Sequence, residues 1–278
     1  MFNSVTGRIN EIKQPRGGYV NPSLFRELET PEYKPLNENE NLEPNIIGMV
    51  VDYLTRGASG QSVGDAFGIS LEGAQIAEQV INGSVNTAVI LAKGINGLDD
   101  KSIINACKLV SFDIWKRNPL IARSAKTYKD INPDEATIEN IHTLVMRSLI
   151  FLGIVKPVVS IGFTFNPPHG TQKQYDKMIK TGKGSFGGYT PTVASGDGDY
   201  IARNTIWDFK VSKNKPTSKH TLQLLMYWIM GQHSGQDIFI DVDGIGIFNP
   251  RLHTMYRIPM SSISEEIIHT VEKEVIGY

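Results

Sequence analysis

Hydrophobic and polar positions follow different patterns in the two halves of the chain. From residue 46 to about 155, apolar residues recur at helical spacing. The segment Asn132-Pro133-Asp134-Glu135 has the proline and the acids that are typical of a first helical turn. The pattern predicts helices at 46–54, 70–81, 85–93, 99–116 and 134–152.

Beyond Lys156 the pattern changes to short runs rich in β-branched and aromatic residues, broken by glycine and proline. One helix, which contains Gln223, interrupts these runs, and a second helix at 264–275 closes the chain. A helix-rich first half followed by a sheet crossed by one helix predicts an α/β fold. The predicted strands are 158–165, 188–202, 205–211, 239–241, 245–248 and, at an edge of the sheet, 255–258.

The first 45 residues mix proline, asparagine and glutamate with a few apolar anchors such as Leu24-Phe25. This composition predicts an irregular arm that closes over the body of the protein. The expected organisation is therefore an N-terminal arm at 1–45, a helical portion at 46–155 and a core at 156–278.

Composition places the chain among ordinary globular proteins. Of its 278 residues, 40% are hydrophobic and 21% are charged, which is enough to bury one substantial core. The chain begins without the features of a leader peptide, and the most apolar run, 143–155, is short and contains Arg147. We expect a soluble cytoplasmic protein with no membrane partner.

Cysteine and histidine usage excludes several kinds of site. A single cysteine, Cys107, excludes an internal disulfide and a cysteine-ligated iron–sulfur cluster. The six histidines lack the paired spacing of zinc ligands. The glycines at 196 and 198 do not complete a dinucleotide or phosphate-binding loop.

Candidate chemistry lies in the run 193–210, which predicts a hairpin that turns near Arg203-Asn204. Because side chains alternate along a strand, Asp208 and Lys210 share one face of the second strand. Taken alone, this pair is more typical of a solvated strand edge than of a functional site. Asp199, on the first strand, changes that interpretation because it can approach Asp208 across the hairpin.

Two carboxylates brought together repel each other unless a cation lies between them. Magnesium prefers oxygen ligands and keeps several waters, so Asp199, Asp208 and one main-chain carbonyl would suffice to bind it. Lys210 would then lie beside an attacking water. It could orient that water or neutralise charge that develops on a phosphate.

The order of these residues resembles the motif of the PD-(D/E)XK nuclease superfamily, in its RecB-like exonuclease branch. Gly196-x-x-Asp199, Asp208-x-Lys210 and Gln223-x-x-x-Tyr227 correspond to its three successive elements. The resemblance implies a restriction-endonuclease-like core, which is a mixed central sheet flanked by helices. It also implies that Asp199, Asp208 and the Phe209 carbonyl bind Mg²⁺, with Mn²⁺ as a substitute, and that Lys210, Gln223 and Tyr227 act in catalysis.

An upstream acidic ligand is also expected from the resemblance. The nearest match is Gly48-x-x-x-Asp52, with Asp52 as the ligand, and Glu72 and Glu78 are alternatives on the next helical stretch. Asp197 is an alternative to Asp199 because it lies on the same strand face.

The net charge is −1, so any field that attracts nucleic acid must be local. Two sets of basic residues have the spacing to provide it, although any single lysine is more typical of a solvated face. Phe186, in a glycine-rich segment, is a candidate for stacking on a base. The two sets are Lys173, Lys177, Lys180 and Lys183, and Arg203, Lys213, Lys215 and Lys219.

The function expected from the resemblance is a Mg²⁺-dependent DNA nuclease, exonuclease-like, in DNA processing, recombination or defence. RNA is an alternative substrate. A nuclease fold without turnover, which binds nucleic acid or protein, is the alternative from a different class. A nuclease for small signalling nucleotides would share the chemistry but would need a closed pocket.

Overall fold

The computed structural model describes residues 3–31, 33–165, 176–177, 180–181 and 187–278. It has an α/β fold with a mixed six-stranded sheet, which agrees with the expected fold class. The strands are β1 (Asn3–Ser4), β2 (Arg26–Glu29), β3 (Val158–Thr164), β4 (Val193–Ser195), β5 (Asp197–Ala202), β6 (Thr205–Phe209), β7 (Gly244–Asn249) and β8 (Thr254–Pro259).

The strand order in the sheet is β2-β8-β7-β6-β5-β3, and β1 pairs separately with β4. Within the sheet β6 and β7 are parallel, whereas the other neighbours are antiparallel. The expected hairpin is β5 and β6, joined at Arg203-Asn204, where Arg203 has a φ of 52°. Every residue of β6 is buried because this strand lies inside the sheet, between β5 and β7.

Helices cover both faces of the sheet. The helices are α1 (Val5–Glu11), α2 (Pro44–Ala58), α3 (Val63–Ala66), α4 (Gly68–Ala77), α5 (Ser84–Lys93), α6 (Asp100–Val110), α7 (Asp113–Arg117), α8 (Pro119–Ala122), α9 (Glu135–Ile154), α10 (Ser218–Ser234) and α11 (Glu265–Thr270), which continues as a π-helix at Val271–Ile276.

The alternation of β5 and β6 sorts their apolar side chains between two cores. Ile201 and Ile206 pack with α1 and α10 on one face. Tyr200, Trp207 and Phe209 pack with Phe151 and Leu152 of α9 on the other. Asp208, between Trp207 and Phe209, and Asp199, next to Tyr200, therefore face the α10 side of the sheet.

A separate helical core explains how α2 is oriented. Ile47, Val50, Val51 and Leu54 follow i, i+3, i+4, i+7 spacing and are buried among α6 and α9. The side chains of Asp52 and Arg56 consequently lie outside this stripe, whereas Tyr53 is itself buried in the same core.

The N-terminal segment differs from the expected irregular arm. Ser4 caps α1 by accepting a hydrogen bond from Gly7 N–H, and Val5 and Ile9 are buried in the core beside α10. The strand β2 pairs with β8 and forms the edge of the sheet, so the prediction that 255–258 lies at an edge was wrong. Four exposed residues in β2 carry no alternating signal, and only pairing with β8 defines the strand.

Other predicted boundaries also change. Residues 188–202 do not form one strand, because pairing is interrupted at Gly196 between β4 and β5. Residues 239–241 are not a strand either: a 3₁₀ turn at Asp237–Phe239 buries the Phe239 ring against Phe163 and Phe165. The predicted helix starting near Pro133 is confirmed, with Asp134 as its N-cap.

Candidate active site

Asp199 lies where β5 and β6 separate. Backbone pairing of these strands ends at Tyr200 and Trp207. One residue further on, Asp199 Oδ2 accepts a hydrogen bond of 2.8 Å from the Phe209 N–H. Extending the antiparallel register places Asp208 opposite Asp199, so both carboxylates face the α10 side of the sheet.

Asp208 is buried and forms an ion pair with Lys210, whose side chain is 26% exposed. Only 3% of Asp208 is exposed, and its Oδ2 lies 2.7 Å from Lys210 Nζ. This Oδ2 receives no well-directed hydrogen bond from the part of the chain that the structure describes, so the contact is electrostatic. The Lys210 N–H donates to Phe248 O at 3.0 Å, which holds Lys210 beside β7 just after the end of β6.

Helix α2 brings a third carboxylate to the site through an arginine. Arg56 Nε lies 2.9 Å from Asp52 Oδ1, one helical turn earlier, and Arg56 Nη2 lies 3.1 Å from Asp199 Oδ1. The guanidinium therefore bridges the upstream acid and the hairpin acid. Arg56 also lies 6.0 Å from the centre of the Tyr200 ring, within cation–π distance.

Burial and mutual repulsion change the protonation of these acids. Burial raises the pKa of Asp52 to about 6 and that of Asp208 to about 7, in each case against the charge of the paired cation, and Asp199 raises both further. Burial disfavours charged Lys210, but Asp208 and Asp199 outweigh it and raise the lysine pKa. Lys210 is therefore an ammonium group at neutral pH.

Stability is expected to depend on these carboxyls. The folded forms of Asp52 and Asp208 hold protons that the unfolded chain releases near its ordinary pKa of 3.8, so their contribution to the free energy of unfolding falls as pH rises toward 7. Urea unfolding at pH 5 and pH 7.5 measures how far the free energy of unfolding falls over this pH interval. The variant Asp52→Asn should show a smaller fall than wild type over this interval, and equal falls would contradict the assignment.

Whether a divalent cation fits depends on the donors. In the described ranges, no group of three or more histidine, cysteine, aspartate or glutamate side chains is arranged to hold a metal ion. Cationic side chains occupy the space instead: Arg56 lies between Asp52 and Asp199, and Lys210 contacts Asp208. Three carboxylates with two cations leave a formal charge of −1, and all the acidic donors are hard oxygens. The donor set fits Mg²⁺ provided that Arg56 moves off the carboxylates.

Gln223 and Tyr227 lie on α10 as expected, but Tyr227 does not face solvent. Tyr227 is 2% exposed and donates a hydrogen bond of 2.5 Å to the Asp197 carbonyl, while Gln223 Nε2 donates to the Tyr227 hydroxyl at 2.8 Å. The pair thus anchors the start of β5. A Cβ on Gly196 would lie 3.4 Å from the Tyr227 ring and 2.9 Å from Val5, which explains a glycine at this place.

The structure separates the alternative acids. Asp197 is exposed, whereas Asp199 contacts Phe209 and Arg56. Glu72 pairs with Lys116 at 2.9 Å, and Glu78 accepts hydrogen bonds from Gly83 N–H and Val85 N–H. Glu72 and Glu78 are therefore engaged within the helical portion, and Asp52 is the upstream acid that approaches the hairpin.

The predicted basic residues are dispersed. Arg203 lies at the turn between β5 and β6, away from Asp199 and Asp208, and Lys215 pairs with Glu27 at 2.8 Å. Lys219 donates to Asn10 at 2.9 Å. Lys177 and Lys180 are exposed. Lys173, Lys183 and Phe186 lie outside the described residues.

Arg56 was not predicted as part of the site. An acid and an arginine four residues apart on a helix are common surface partners, so the sequence does not distinguish Arg56 from a solvated residue.

His220 lies one turn before Gln223, and burial, aided by the Lys210 charge, lowers its pKa to about 4. It is therefore neutral at pH 7, and its Nδ1 accepts a hydrogen bond from Thr217 N–H in a capping box.

Comparisons with protein-family models, with curated proteins and with solved structures give no match for this chain. None of the helices in the described residues has the length and apolar character needed to cross a membrane. A functional assignment therefore depends on the geometry of the carboxylate site and on the motif resemblance.

Proposed function

We propose that this chain is a metal-dependent nuclease with a restriction-endonuclease-like core, which hydrolyses phosphodiester bonds of DNA. The observation that carries the proposal is the grouping of Asp199, Asp208 and Lys210 at the separating ends of β5 and β6, with Asp52 joined to Asp199 through Arg56. The motif resemblance predicts the same residues and favours an exonuclease-like activity in DNA processing, recombination or defence.

The proposed site assigns a different task to each group. Asp52, Asp199 and Asp208, with the Phe209 carbonyl, would hold Mg²⁺ or Mn²⁺. The bound ion would polarise a phosphate oxygen and lower the pKa of a water. Lys210, which carries a proton at neutral pH, acts as a cationic donor to the phosphate rather than as the base.

The overall reaction is a hydrolysis in which a water oxygen forms a bond to phosphorus in line with the leaving oxygen. The bond from phosphorus to the 3′ oxygen breaks, and a proton from water ends on that oxygen. The products are a 5′-phosphate and a 3′-hydroxyl. Gln223 and Tyr227 position β5 for this chemistry through the Asp197 carbonyl.

One observation favours a second candidate, a nuclease fold that binds nucleic acid without turnover. Both carboxylate oxygens of Asp199 are already engaged, Oδ1 by Arg56 and Oδ2 by Phe209 N–H. A site that kept the Arg56 contact would hold a cation at the oxygens that a metal needs, whereas the Phe209 N–H leaves a lone pair of Oδ2 free. The two candidates differ in whether a divalent cation displaces Arg56.

The first experiment is a cleavage assay on labelled linear double-stranded, single-stranded and covalently closed circular DNA, with Mg²⁺, Mn²⁺ or EDTA. We expect cleavage that requires the metal and is lost in Asp199→Asn. The matched control is Asp243→Asn, because Asp243 is an exposed acid that pairs with Arg257 outside the site. Sparing of closed circles would show that ends are required, and metal-independent DNA binding without cleavage would favour the second candidate.

A further inference from the structure

Arg117, at the end of α7, is held by a buried polar network. Asp113 is 1% exposed, and its Oδ2 accepts a hydrogen bond of 2.7 Å from the Tyr53 hydroxyl. Ser70 donates to the other oxygen of the same carboxylate. Arg117 Nη2 donates to the Tyr53 hydroxyl at 3.2 Å, and Arg117 Nε lies 3.6 Å from Asp113 Oδ2. The network fixes one edge of the guanidinium.

The rest of the Arg117 side chain is accessible. Half of it is exposed, in contrast with the fully buried groups that orient it. Tyr53 follows Asp52 on α2, so the guanidinium is anchored to the same turn of the helix as the upstream acid of the proposed site. Burial raises the pKa of Asp52, and the Arg117 charge opposes that rise only slightly; the pKa of Arg117 is itself raised chiefly by Tyr53 and Asp113. An oriented cation is therefore held against the helix that carries Asp52, through its contacts with Tyr53 and Asp113.

An apolar groove adjoins this cation. It has a volume of about 590 Å³, lies between α2 and the α6–α7 region, and is lined by Ile46, Met49, Val110 and Ile114, with Arg117 and Lys126 as its cations. Met49 is one helical turn before Asp52 and Tyr53, so the groove runs along α2 from the turn that carries Asp52. Lys126 lies 3.9 Å from Glu43, which leaves Arg117 as the cation without an exposed acidic partner in this groove.

We propose that Arg117 and this groove, here called the α2 groove, bind one unpaired nucleotide of the substrate strand next to the phosphodiester that is cleaved. Arg117 binds its phosphate, and the apolar lining of the groove accepts its base. The proposal rests on the proposed function for the identity of the substrate. A guanidinium is suited to a phosphate because its N–H groups match two phosphate oxygens, and a base has an apolar face for any sequence.

The positive charge of Arg117 is complementary to the negative charge of a DNA backbone. The catalytic carboxylates repel a DNA backbone, so a substrate needs cationic contacts beside them. Arg117 provides such a contact at a fixed position because Tyr53 and Asp113 restrict its rotamers. A purely structural Arg117 would compensate Asp113 and would not affect DNA binding.

Fluorescence anisotropy with labelled single strands, in buffer without divalent cations, tests the phosphate contact. We expect Arg117→Gln to weaken binding of oligothymidylate by about tenfold or more, the order of one hydrogen-bonded charged contact. The matched control is Lys116→Gln, which removes the same charge one residue earlier from a surface pair with Glu72 and should change binding less than about twofold. Arg117→Lys should recover part of the loss.

A second comparison tests the base contact. Ile114→Ala should weaken binding of oligothymidylate but not of an abasic strand of the same length, whereas Arg117→Gln should weaken both. Thermal melting of each variant monitors the fold. Equal affinity of Arg117→Gln and Lys116→Gln would overturn the proposal, and equal losses of Ile114→Ala on both strands would overturn the base contact. If wild type binds as expected but cleaves no substrate, the proposed nuclease function fails while this binding site stands.

Discussion

The double variant Asp208→Asn, Lys210→Met is expected to cleave no DNA and yet to be more stable than the single variant Lys210→Met. Asp208 is almost fully buried, and Lys210 is its counter-ion at 2.7 Å. Removing one partner of a buried ion pair costs up to about 3–5 kcal/mol when the other charge is left uncompensated. The cost is smaller where Asp208, whose pKa burial raises to about 7, takes up a proton instead. Replacing both partners removes the desolvation cost of both charges. Urea unfolding of the wild type, Lys210→Met and the double variant measures this order.

DNA cleavage by the same variants separates the catalytic role of Lys210 from its role in stability. We expect Lys210→Met and the double variant to lose cleavage by about 10²-fold or more, the range measured when one preorganised donor to a transition state is removed. The control is Lys215→Met, since Lys215 pairs with Glu27 at the surface. A Lys210→Met variant that is folded in the assay and cleaves DNA as fast as wild type would show that Lys210 is only a structural counter-ion.

The hairpin was predictable because its signal is local. Alternation places Asp208 between Trp207 and Phe209, which are both buried against α9, and this alone determines which face the acid occupies. The turn at Arg203-Asn204 follows from the lengths of the two strands. For Asp199 the sequence predicted only that its carboxylate approaches Asp208. It did not predict that Asp199 lies at the point where the two strands separate.

Long-range contacts were not predictable from the chain. The strand β2 is defined by pairing with β8, more than two hundred residues away, and has no apolar alternation of its own. The sequence pattern places Phe239 in a strand, yet in the structure its ring fills a space beside Gly231 on α10. The position of α2 beside the hairpin likewise depends on packing against α6 and α9. The motif resemblance could therefore suggest Asp52 as a ligand, but nothing in the sequence indicated that Arg56 contacts Asp199.

Tyr227 illustrates how a correct position can carry a different physical role. Helical spacing puts Gln223 and Tyr227 on one face, and the structure places both beside β5. The Tyr227 hydroxyl donates its hydrogen bond to the Asp197 carbonyl, however, so it contacts the backbone of the strand that carries Asp199. Burial of a side chain depends on the whole fold, and the spacing of two residues does not reveal it.

Arg56→Gln is expected to bind Mn²⁺ about tenfold or more tightly than wild type, although the substitution removes contacts of the folded protein. Arg56 lies 2.9 Å from Asp52 and 3.1 Å from Asp199, so its guanidinium competes with a divalent cation for the same oxygens. Without it, two carboxylates face each other and their repulsion favours a metal. A tenfold change corresponds to about 1.4 kcal/mol of competing interaction. Isothermal titration calorimetry in the absence of DNA measures the affinity.

The matched control for this prediction is Arg117→Gln, which removes the same charge near Asp52 but contacts neither Asp52 nor Asp199. Its Mn²⁺ affinity should rise much less, because only a longer-range repulsion is lost. In metal-free buffer Arg56→Gln should be less stable than wild type, and saturating Mn²⁺ should reduce the difference by mass action. Unchanged or weaker Mn²⁺ binding in Arg56→Gln would mean that the guanidinium supports the carboxylates instead of excluding the ion, and would favour the non-cleaving nuclease fold.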